Sequence, residues 1–375
     1  MPRLKIGVIG CGAIAQIQHL PHLRELDDLF EIGGLADLSP NLLEAIGTDY
    51  GVPPERRFLD YHQLLQSDVD GVIVCPSGSH AAPAIAAAKA GKHVFVEKPM
   101  CTTVREAEAM VAAADKAGVL LMVGYMKRHE PAYQFAQARV REMSDVRFIQ
   151  VNHLHPSNDL HTSEFKVRRF DDIPRGVRDA WNMQQTELIA EALGYADGAA
   201  VPAAIAHAYN LILGSMIHDI GNLHGLFGPP RHVLSSEIWL DGRGVSTVLD
   251  YGDERRAVAS WVDLPDLWDF KETLEVYGSR ERVLVSFPTG FARGLPSYVT
   301  LHGMDADADR TPWRREYAWH DNPFKLELLH FGECIRTGQP PLTPGREAIA
   351  DIQLVGEIVK RNQMSDVRAH PQSDF

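Results

Sequence analysis

Apolar runs recur through the first third of the chain, and each run ends at a glycine, a proline or an acid. The predicted strands are KIGVIG (5–10), FEIGGLAD (30–37), GVIVCP (71–76), HVFVEKP (93–99) and VLLMVGY (119–125). Wholly apolar strands of this kind are typical of parallel sheets that are covered on both faces. Helical patterns lie between them, and one begins with a capping box of Thr103 and Glu106. The alternation predicts βαβ units around a parallel sheet.

After about residue 125 the pattern changes to strand-like runs that follow one another with short turns. These runs are residues 145–155, 231–240, 244–252, 255–264, 271–279 and 281–287. Several alternate apolar and polar residues, which predicts a large, mainly antiparallel sheet with one solvated face. Helices are predicted at 180–194, near 211–227 and at about 345–361. The sequence therefore predicts an α/β domain over 1–125 and an α+β domain over 126–375.

The composition restricts the classes of function. The chain has 375 residues, enough for two domains, and its formal net charge is −13. Binding to nucleic acid or to anionic membranes needs clustered lysine and arginine, so neither is expected. The four cysteines form no C-x-x-C pair, and neither a secretory leader nor an apolar run long enough to span a membrane is recognised. A reducing, cytoplasmic environment is the expectation.

A glycine-rich turn follows the first predicted strand. Residues 10–15 read G-x-G-x-x-A: Gly10 would make the tight turn, and Gly12 would let a pyrophosphate approach the backbone. Ala13 and Ile14 would open a helix whose N–H groups face the anion, and Ala15 would allow close packing on the sheet. Strand, turn and helix together predict a dinucleotide-binding Rossmann fold, with a structural glycine turn as the alternative.

Asp37 ends the second predicted strand, 25 residues after Gly12. A carboxylate at this place accepts hydrogen bonds from ribose hydroxyls and repels a 2′-phosphate. Leu38, Ser39 and Pro40 follow it, with no arginine to receive that phosphate. NAD is therefore predicted, with NADP as the alternative.

Three stretches together carry a family resemblance: GCGAIA, CPSGSHAAPAIAAAKAGKHVFVEKPM and GYMKRHEPAY. With them the chain resembles the Gfo/Idh/MocA oxidoreductases, such as glucose–fructose oxidoreductase and inositol dehydrogenase. The resemblance is dense over residues 3–131 and recognisable at 211–228 and 325–350. It implies an NAD(P)-dependent dehydrogenase that oxidises a secondary hydroxyl of a sugar, sugar derivative or cyclitol. It also implies a homodimer or homotetramer that packs through the sheet of the second domain.

The resemblance assigns roles to the E-K-P triplet and to the loop after the third predicted strand. Lys98 matches the family lysine that reaches toward the nicotinamide and the reacting hydroxyl, and Glu97 matches the acid near the cofactor ribose. Pro99 would make a rigid, cis-compatible bend that aims Lys98. Pro76, Ser77 and His80 match the family's cofactor loop, with His80 equally able to be a packing or capping residue.

Further roles fall on the second domain and on the junction. Tyr125 and Arg128 match a segment where the family's domains meet, and Arg128 would either clamp substrate hydroxyls or pair with an acid. His218 falls on the family's catalytic base, with a structural histidine as the alternative. The family acid four residues earlier is replaced by Gly214, which leaves the substrate type and the activity open.

Three histidines cluster near the end of the first strand of the second domain: His153, His155 and His161. They would line a sugar site or bind a metal. No acid lies at ligand spacing in the sequence, so no metal is predicted, and His155 is the preferred substrate-binding residue. The locally basic segment 157–194 would form either a lid over an anionic or bulky substrate or an arm that contacts another subunit.

Two other functions stay open at this stage. One is redox-assisted glycoside cleavage, in which the nucleotide oxidises the sugar transiently and is regenerated. The other is a sensor that keeps the cofactor site without catalysis, a reading that Gly214 favours and that Lys98 and His218 oppose.

Overall fold

The computed structural model describes residues 2–291, 293–305 and 310–369. It contains two compact units. The first comprises Met1–Met126, Ser163–Ala200 and Phe324–Ile352, and the second comprises Lys127–Thr162, Val201–Pro323 and Gln353–Phe375. Compactness does not test whether a segment folds alone, so the domain boundary expected after residue 125 stays a prediction.

A six-stranded parallel sheet forms the centre of the first unit. Its strands are β1 (Leu4–Ile9), β2 (Phe30–Ala36), β3 (Arg57–Phe58), β4 (Gly71–Val74), β5 (His93–Glu97) and β6 (Leu121–Gly124). The order is β3-β2-β1-β4-β5-β6 with all neighbours parallel. This is the strand order of a dinucleotide-binding fold, and it confirms the predicted α/β class. The two-residue β3 was not predicted because it is too short to form a pattern.

An eight-stranded sheet forms the second unit. Its strands are β7 (Phe148–His155), β8 (His232–Trp239), β9 (Gly244–Asp250), β10 (Arg256–Asp263), β11 (Lys271–Tyr277), β12 (Glu281–Phe287), β13 (Ser297–Met304) and β14 (Pro312–Trp319). The order is β14-β13-β12-β11-β7-β10-β9-β8, and among the described strands of this sheet only β7 and β10 pair in parallel. The mainly antiparallel sheet is confirmed. The sequence reading missed β13 and β14.

Helices connect and flank the strands. The α-helices of the described residues are α1 (Leu20–Glu25), α2 (Pro40–Asp49), α3 (Tyr61–Leu65), α4 (Ala81–Lys89), α5 (Val104–Ala117), α6 (Pro131–Glu142), α7 (Asn158–Thr162), α8 (Arg175–Leu193), α9 (Ala203–Leu211), α10 (Ile217–Phe227), α11 (Pro323–Thr337) and α12 (Gly345–Ala369). The capping box of Thr103 and Glu106 is present at the start of α5. Two π-helical turns, Ala15–His19 and Ile212–Met216, precede α1 and α10.

The core of the first unit is built from distant parts of the chain. Phe95 of β5 packs edge to face on Phe331 of α11, whose ring centroid is 5.7 Å away. Leu328 and Phe331 belong to the same buried cluster as Ile6, Val8 and Phe30. The sequence reading did not predict α11, although its buried face completes the core beneath β1 and β5.

Within the part of the chain that the structure describes, no helix has both the length and the apolar character that crossing a bilayer requires.

Candidate functional site

The glycine-rich turn is built as the sequence predicted. Gly10 has φ +92°, and a Cβ there would lie 2.4 Å from the backbone nitrogen of Pro76, so only glycine fits. A Cβ on Gly12 would meet no atom within 4 Å, which leaves open space above the turn. Ala15 is fully buried. The helix after the turn starts as a π-helical turn at Ala15, which the sequence did not indicate.

Asp37 follows β2 and accepts two backbone hydrogen bonds. One comes from the N–H of Cys11 at 2.8 Å and the other from the N–H of Ser39 at 2.9 Å. The carboxylate therefore links the glycine-rich turn to the start of α2, at the carboxyl edge of the sheet. That edge is where this class of sheet binds its ligands.

A cleft of about 640 Å³ opens between these elements, a volume in the range of small-molecule sites. Six residues predicted to bind the cofactor line it, namely Gly10, Gly12, Ala13, Asp37, Pro76 and Ser77, and their role stays a prediction. Ile14, Ala15, His80, Glu97 and Lys98 are not among its described lining residues, and their cofactor roles stay predictions. The second wall of the cleft belongs to the segment 157–194, for which the sequence suggested a lid or a subunit-contact arm without naming any cofactor-binding residue. Its lining residues are Val167, Arg168, Arg169, Phe170, Ile173, Trp181 and Gln184.

His80 is buried and holds the ends of two loops together. Its Nδ1 lies 2.9 Å from the carbonyl oxygen of Glu97 and 2.7 Å from that of Pro99, and its Nε2 lies 3.0 Å from that of Pro76. Burial lowers its pKa, although these carbonyl oxygens favour the protonated ring. Its side chain makes no capping hydrogen bond to α4, so packing explains its position better than capping.

Glu97 and Lys98 stand at the end of β5, and the Lys98–Pro99 peptide bond is cis. Glu97 is buried and lies 2.7 Å from Nε2 of His19. Burial would raise the pKa of Glu97, but the hydrogen bond from His19 and the charges of His19 and Lys98 lower it below its usual value. Glu97 of the predicted Glu97–Lys98 pair is therefore hydrogen-bonded to a buried histidine, His19, which the sequence analysis did not identify as a site residue.

Glu327 of α11 is a second buried acid near Glu97. Burial, with a smaller effect of the charge on Glu97, raises its pKa well above the usual value. Two carboxyl groups in one dry region cannot both be charged at low cost. The shifts therefore favour the ionised form of Glu97 and the protonated form of Glu327.

Tyr125 is buried directly after β6. Arg128 belongs to the second unit and is also buried, in the 3₁₀ turn Met126–His129. A Cβ on Gly225 would lie 2.8 Å from Nε of Arg128, so the guanidinium packs directly on helix α10. The proposed substrate roles of Tyr125 and Arg128 stay predictions.

A buried polar cluster occupies the second unit next to His218 in sequence. Nδ1 of His153 lies 2.8 Å from Asp219, which follows His218 on α10, and its Nε2 lies 3.8 Å from Glu272 of β11. Lys127 forms an ion pair with Glu272. Burial raises the pKa of Glu272, with Lys127 and His153 opposing this. Asp219, Glu272 and Lys127 were missed by the sequence reading because they lie far apart along the chain.

The same cluster bears on the metal prediction. His153, Asp219 and Glu272 hold potential ligand atoms within 4.8 Å of one another. The sequence argument that no acid lies at ligand spacing therefore does not hold in three dimensions. The ammonium group of Lys127 already balances Glu272, and this competes with a cation. The absence of a metal stays a prediction.

His155 contributes to an aromatic patch on the same unit. Its ring stacks on Trp261 with centroids 5.4 Å apart, and Phe270 packs edge-on against it. Burial, together with the charge on His153, lowers the pKa of His155 to about 4. His155 is therefore neutral near pH 7 and offers an apolar face of the kind that sugar rings pack on.

Gly214 lies in the π-helical turn before α10, and a Cβ there would meet no atom within 4 Å. The next residue, Ser215, accepts a hydrogen bond from the indole N–H of Trp261 at 2.9 Å.

The strand order, the glycine turn and the acid after β2 define a dinucleotide-binding Rossmann domain of the oxidoreductase type. Residues 4–125 match the family model GFO_IDH_MocA, described as an oxidoreductase family with an NAD-binding Rossmann fold. The match covers the Rossmann domain of this chain and confirms the resemblance seen in the sequence.

Named relatives match a little over a third of the chain. Inositol 2-dehydrogenase of Paracoccus denitrificans is 37% identical over 147 residues, 38% of this chain and 42% of the relative. Myo-inositol 2-dehydrogenase of Thermotoga maritima is 36% identical over 129 residues, 34% of this chain and 37% of the relative. The chain thus spans about two-fifths of the length of these curated relatives.

Solved structures resemble the chain along nearly its whole length. Aldose-aldose oxidoreductase from Caulobacter crescentus, complexed with glycerol, has a TM-score of 0.72 at 21% identity, covering 97% of this chain and 98% of that one. A 3-ketoreductase from Actinomadura kijaniata, in complex with NADP, has a TM-score of 0.69 at 20% identity, covering 96% and 98%. At these identities the likeness establishes the fold alone.

Proposed function

We propose that this protein is a nicotinamide-dinucleotide-dependent dehydrogenase acting on a secondary hydroxyl of a sugar, sugar derivative or cyclitol. The observation that carries the proposal is the cleft at the carboxyl edge of the parallel sheet. Its wall combines Gly10 and Gly12 of the glycine-rich turn with Asp37, and Lys98 directly follows strand β5 of the same sheet. The inositol dehydrogenase relatives support the substrate class.

The residues of the cleft suit a dinucleotide. The open space above Gly12 would admit a pyrophosphate, and the carboxylate of Asp37 would accept hydrogen bonds from ribose hydroxyls. A 2′-phosphate near this carboxylate would be repelled, so NAD is the proposed cofactor. When bound, the nicotinamide ring supplies the hydride chemistry of the reaction.

Lys98 is the proposed electrostatic group. Its ammonium would donate a hydrogen bond to the reacting oxygen and stabilise the negative charge that develops there. The ionised carboxylate of Glu97 lies next to it in the chain and accepts the N–H of Lys98 at 3.1 Å. Glu97 and His19 therefore act as positioning residues beneath Lys98.

His218 is the proposed general base, because neutral imidazole near pH 7 can take the hydroxyl proton. The aromatic patch of His155, Trp261 and Phe270 supplies the apolar surface on which a sugar ring packs. Assembly into a dimer or tetramer and a cytoplasmic location stay predictions.

A stopped-flow record of nucleotide absorbance at 340 nm, taken with a panel of cyclitols and aldoses, tests the proposal. Net formation of the reduced nucleotide with one member of the panel is the expected result. Transient reduction followed by return to the oxidised form would instead indicate redox-assisted cleavage. Nucleotide binding without any absorbance change across the panel would indicate a sensor.

A further inference from the structure

One wall of the nucleotide cleft comes from a segment that the family resemblance does not cover. We call residues 167–184 the clasp. We propose that the clasp is part of the nucleotide site, with the guanidinium of Arg169 contacting a phosphate group and the clasp closing over the bound nucleotide. This inference rests on the proposed function, because it assumes that the cleft takes a nicotinamide dinucleotide.

The first anchor of the clasp is at the helix that follows the glycine-rich turn. The side-chain amide of Gln16 donates to the carbonyl oxygen of Arg168 at 3.1 Å and accepts its N–H at 2.8 Å. The guanidinium of Arg168 also forms two hydrogen bonds, of 2.8 and 3.0 Å, with the carboxylate of Asp49. A two-point arginine–carboxylate pair fixes orientation as well as distance. The clasp is therefore held at the end of α2.

The second anchor lies at the other end of α2, beside Asp37. The carboxylate of Asp172 accepts hydrogen bonds from the hydroxyl of Ser39 and, at 2.9 Å, from the backbone N–H of Asn41. Ser39 is the N-cap of α2 and lines the cleft. Both anchors thus attach the clasp to elements that frame the cleft, so the clasp spans it rather than extending into solvent.

Arg169 is the residue of the clasp that is available to bind a phosphate group. Arg168 and Arg169 are the only cationic side chains among the described residues that line the cleft. Arg168 is engaged with Asp49, whereas Arg169 has no hydrogen bond or ion pair within the described part of the chain. The glycine-rich turn offers only backbone N–H groups to a phosphate. The exposed guanidinium of Arg169 would supply the positive charge that the turn lacks.

The apolar part of the clasp adds a second kind of contact. Phe170, Ile173 and Trp181 line the cleft on the same side as Arg169. Aromatic and branched side chains of this kind bury the flat face of a nucleobase. Release of a nucleotide held in this way requires the clasp to part from α2, so slow dissociation is expected.

The phosphate that Arg169 meets has two possible sources, and binding measurements separate them. Arg169→Ala, Arg169→Lys and the control Arg175→Ala are titrated with NADH, NADPH and ADP-ribose, with nucleotide fluorescence or calorimetry as the readout. Arg175 is an exposed arginine that begins α8 and does not line the cleft. Arg169→Ala should weaken binding by roughly 10-fold, the scale of one charge-assisted hydrogen bond, while Arg175→Ala stays within about twofold. Arg169→Lys should recover part of the loss.

A loss that is equal for all three nucleotides places Arg169 at the pyrophosphate. A loss confined to NADPH places it at the ribose 2′-phosphate. Identical affinities for Arg169→Ala and Arg175→Ala would overturn the proposal. If the unmodified protein binds none of the three nucleotides, it is the proposed function that fails.

The closure is tested separately through the rate of release. NADH is displaced by excess ADP-ribose in a stopped-flow instrument, with the unmodified protein and with Asp172→Ala. Because Asp172 holds the clasp to α2 without lining the cleft, its loss should speed release several-fold. Unchanged release in Asp172→Ala, with thermal unfolding also unchanged, would show that the clasp does not close over the nucleotide.

Discussion

The Nε2 atom of His19 lies 2.7 Å from a carboxylate oxygen of Glu97, and both side chains are buried where β5 ends. The carboxylate only accepts hydrogen bonds, so Nε2 carries the proton in this contact. The hydrogen bond keeps the pKa of Glu97 below its usual value in spite of burial. A negative charge is thereby maintained directly beside Lys98.

His19→Ala is expected to destabilise the protein by about 3–5 kcal/mol, because it leaves a buried carboxylate without its partner. The lowered pKa of Glu97 means that the pair stabilises the unmodified protein above the unfolded pKa of about 4.3, and that this contribution is lost as the pH falls. In the variant, burial raises the pKa of Glu97, so the penalty grows as the pH rises. Unfolding in guanidinium chloride at pH 5 and pH 8 should show that His19→Ala lowers the free energy of unfolding more at pH 8. His62→Ala, at an exposed position, is the control, and a difference that is independent of pH would contradict the assignment.

Glu327→Gln should leave stability near pH 4 almost unchanged, because the carboxyl group is then largely protonated in both the folded and the unfolded chain. The raised pKa of Glu327 means that its carboxyl destabilises the folded protein progressively as the pH rises from the unfolded pKa of about 4.3 toward the folded value. The variant lacks this titration and should be more stable than the unmodified protein at pH 9. Thermal unfolding across this pH range measures the effect, with Glu333→Gln, an exposed acid of α11, for comparison. A variant that is equally destabilised at every pH would show that Glu327 is ionised.

Gly214→Ala is expected to stabilise the protein by roughly 0.5–1 kcal/mol, since the position is helical and has open space for a Cβ. Gly225→Ala is the contrasting variant. Its Cβ would lie 2.4 Å from the hydroxyl of Tyr133 and 2.8 Å from Nε of Arg128, so it should destabilise. Denaturant midpoints of the two variants decide the comparison. Destabilisation by Gly214→Ala would indicate that position 214 needs glycine for a contact made outside the single chain.

Lys98→Ala and His218→Ala should each lower kcat by roughly 10²-fold or more, the usual scale for positioned acid–base groups. Affinity for NAD should change little in His218→Ala, whose proposed contact is with the substrate. The pH–rate profile should lose its acid limb when the base is removed. Near-normal kcat with an unchanged profile in His218→Ala would make that histidine structural, and His155 would be the next residue to replace.

Asp37→Ala should narrow the preference for NAD over NADP, because the carboxylate that repels a 2′-phosphate is removed. The variant should also bind NAD less tightly, because Asp37 accepts hydrogen bonds from the backbone N–H groups of Cys11 and Ser39 and so fixes the backbone there. Calorimetric titration with both nucleotides measures the two effects, and Asp28→Ala serves as an exposed control. Tighter binding of NADP than of NAD by the unmodified protein would refute the assigned preference.

The parallel sheet, the glycine-rich turn and the end of the strand before Lys98 could all be predicted from the amino-acid sequence. These features depend on local rules: apolar runs form covered strands, and only glycine accepts the left-handed backbone of Gly10. The capping box at α5 is equally local, since Thr103 and Glu106 are three residues apart. Short-range patterns of this kind allow these features to be predicted without knowledge of the rest of the molecule.

Only the folded chain brings together the distant residues that complete these sites. His19 and Glu327 approach Glu97 from far along the chain, and Arg169 lines the same cleft as the glycine-rich turn from about 155 residues away. His153 acquires Asp219 and Glu272 as neighbours in the same way. No spacing rule encodes such contacts, because chain reversals and sheet register bring them together. The charge states of buried groups follow from those contacts, and so they too belong to the fold rather than to the sequence pattern.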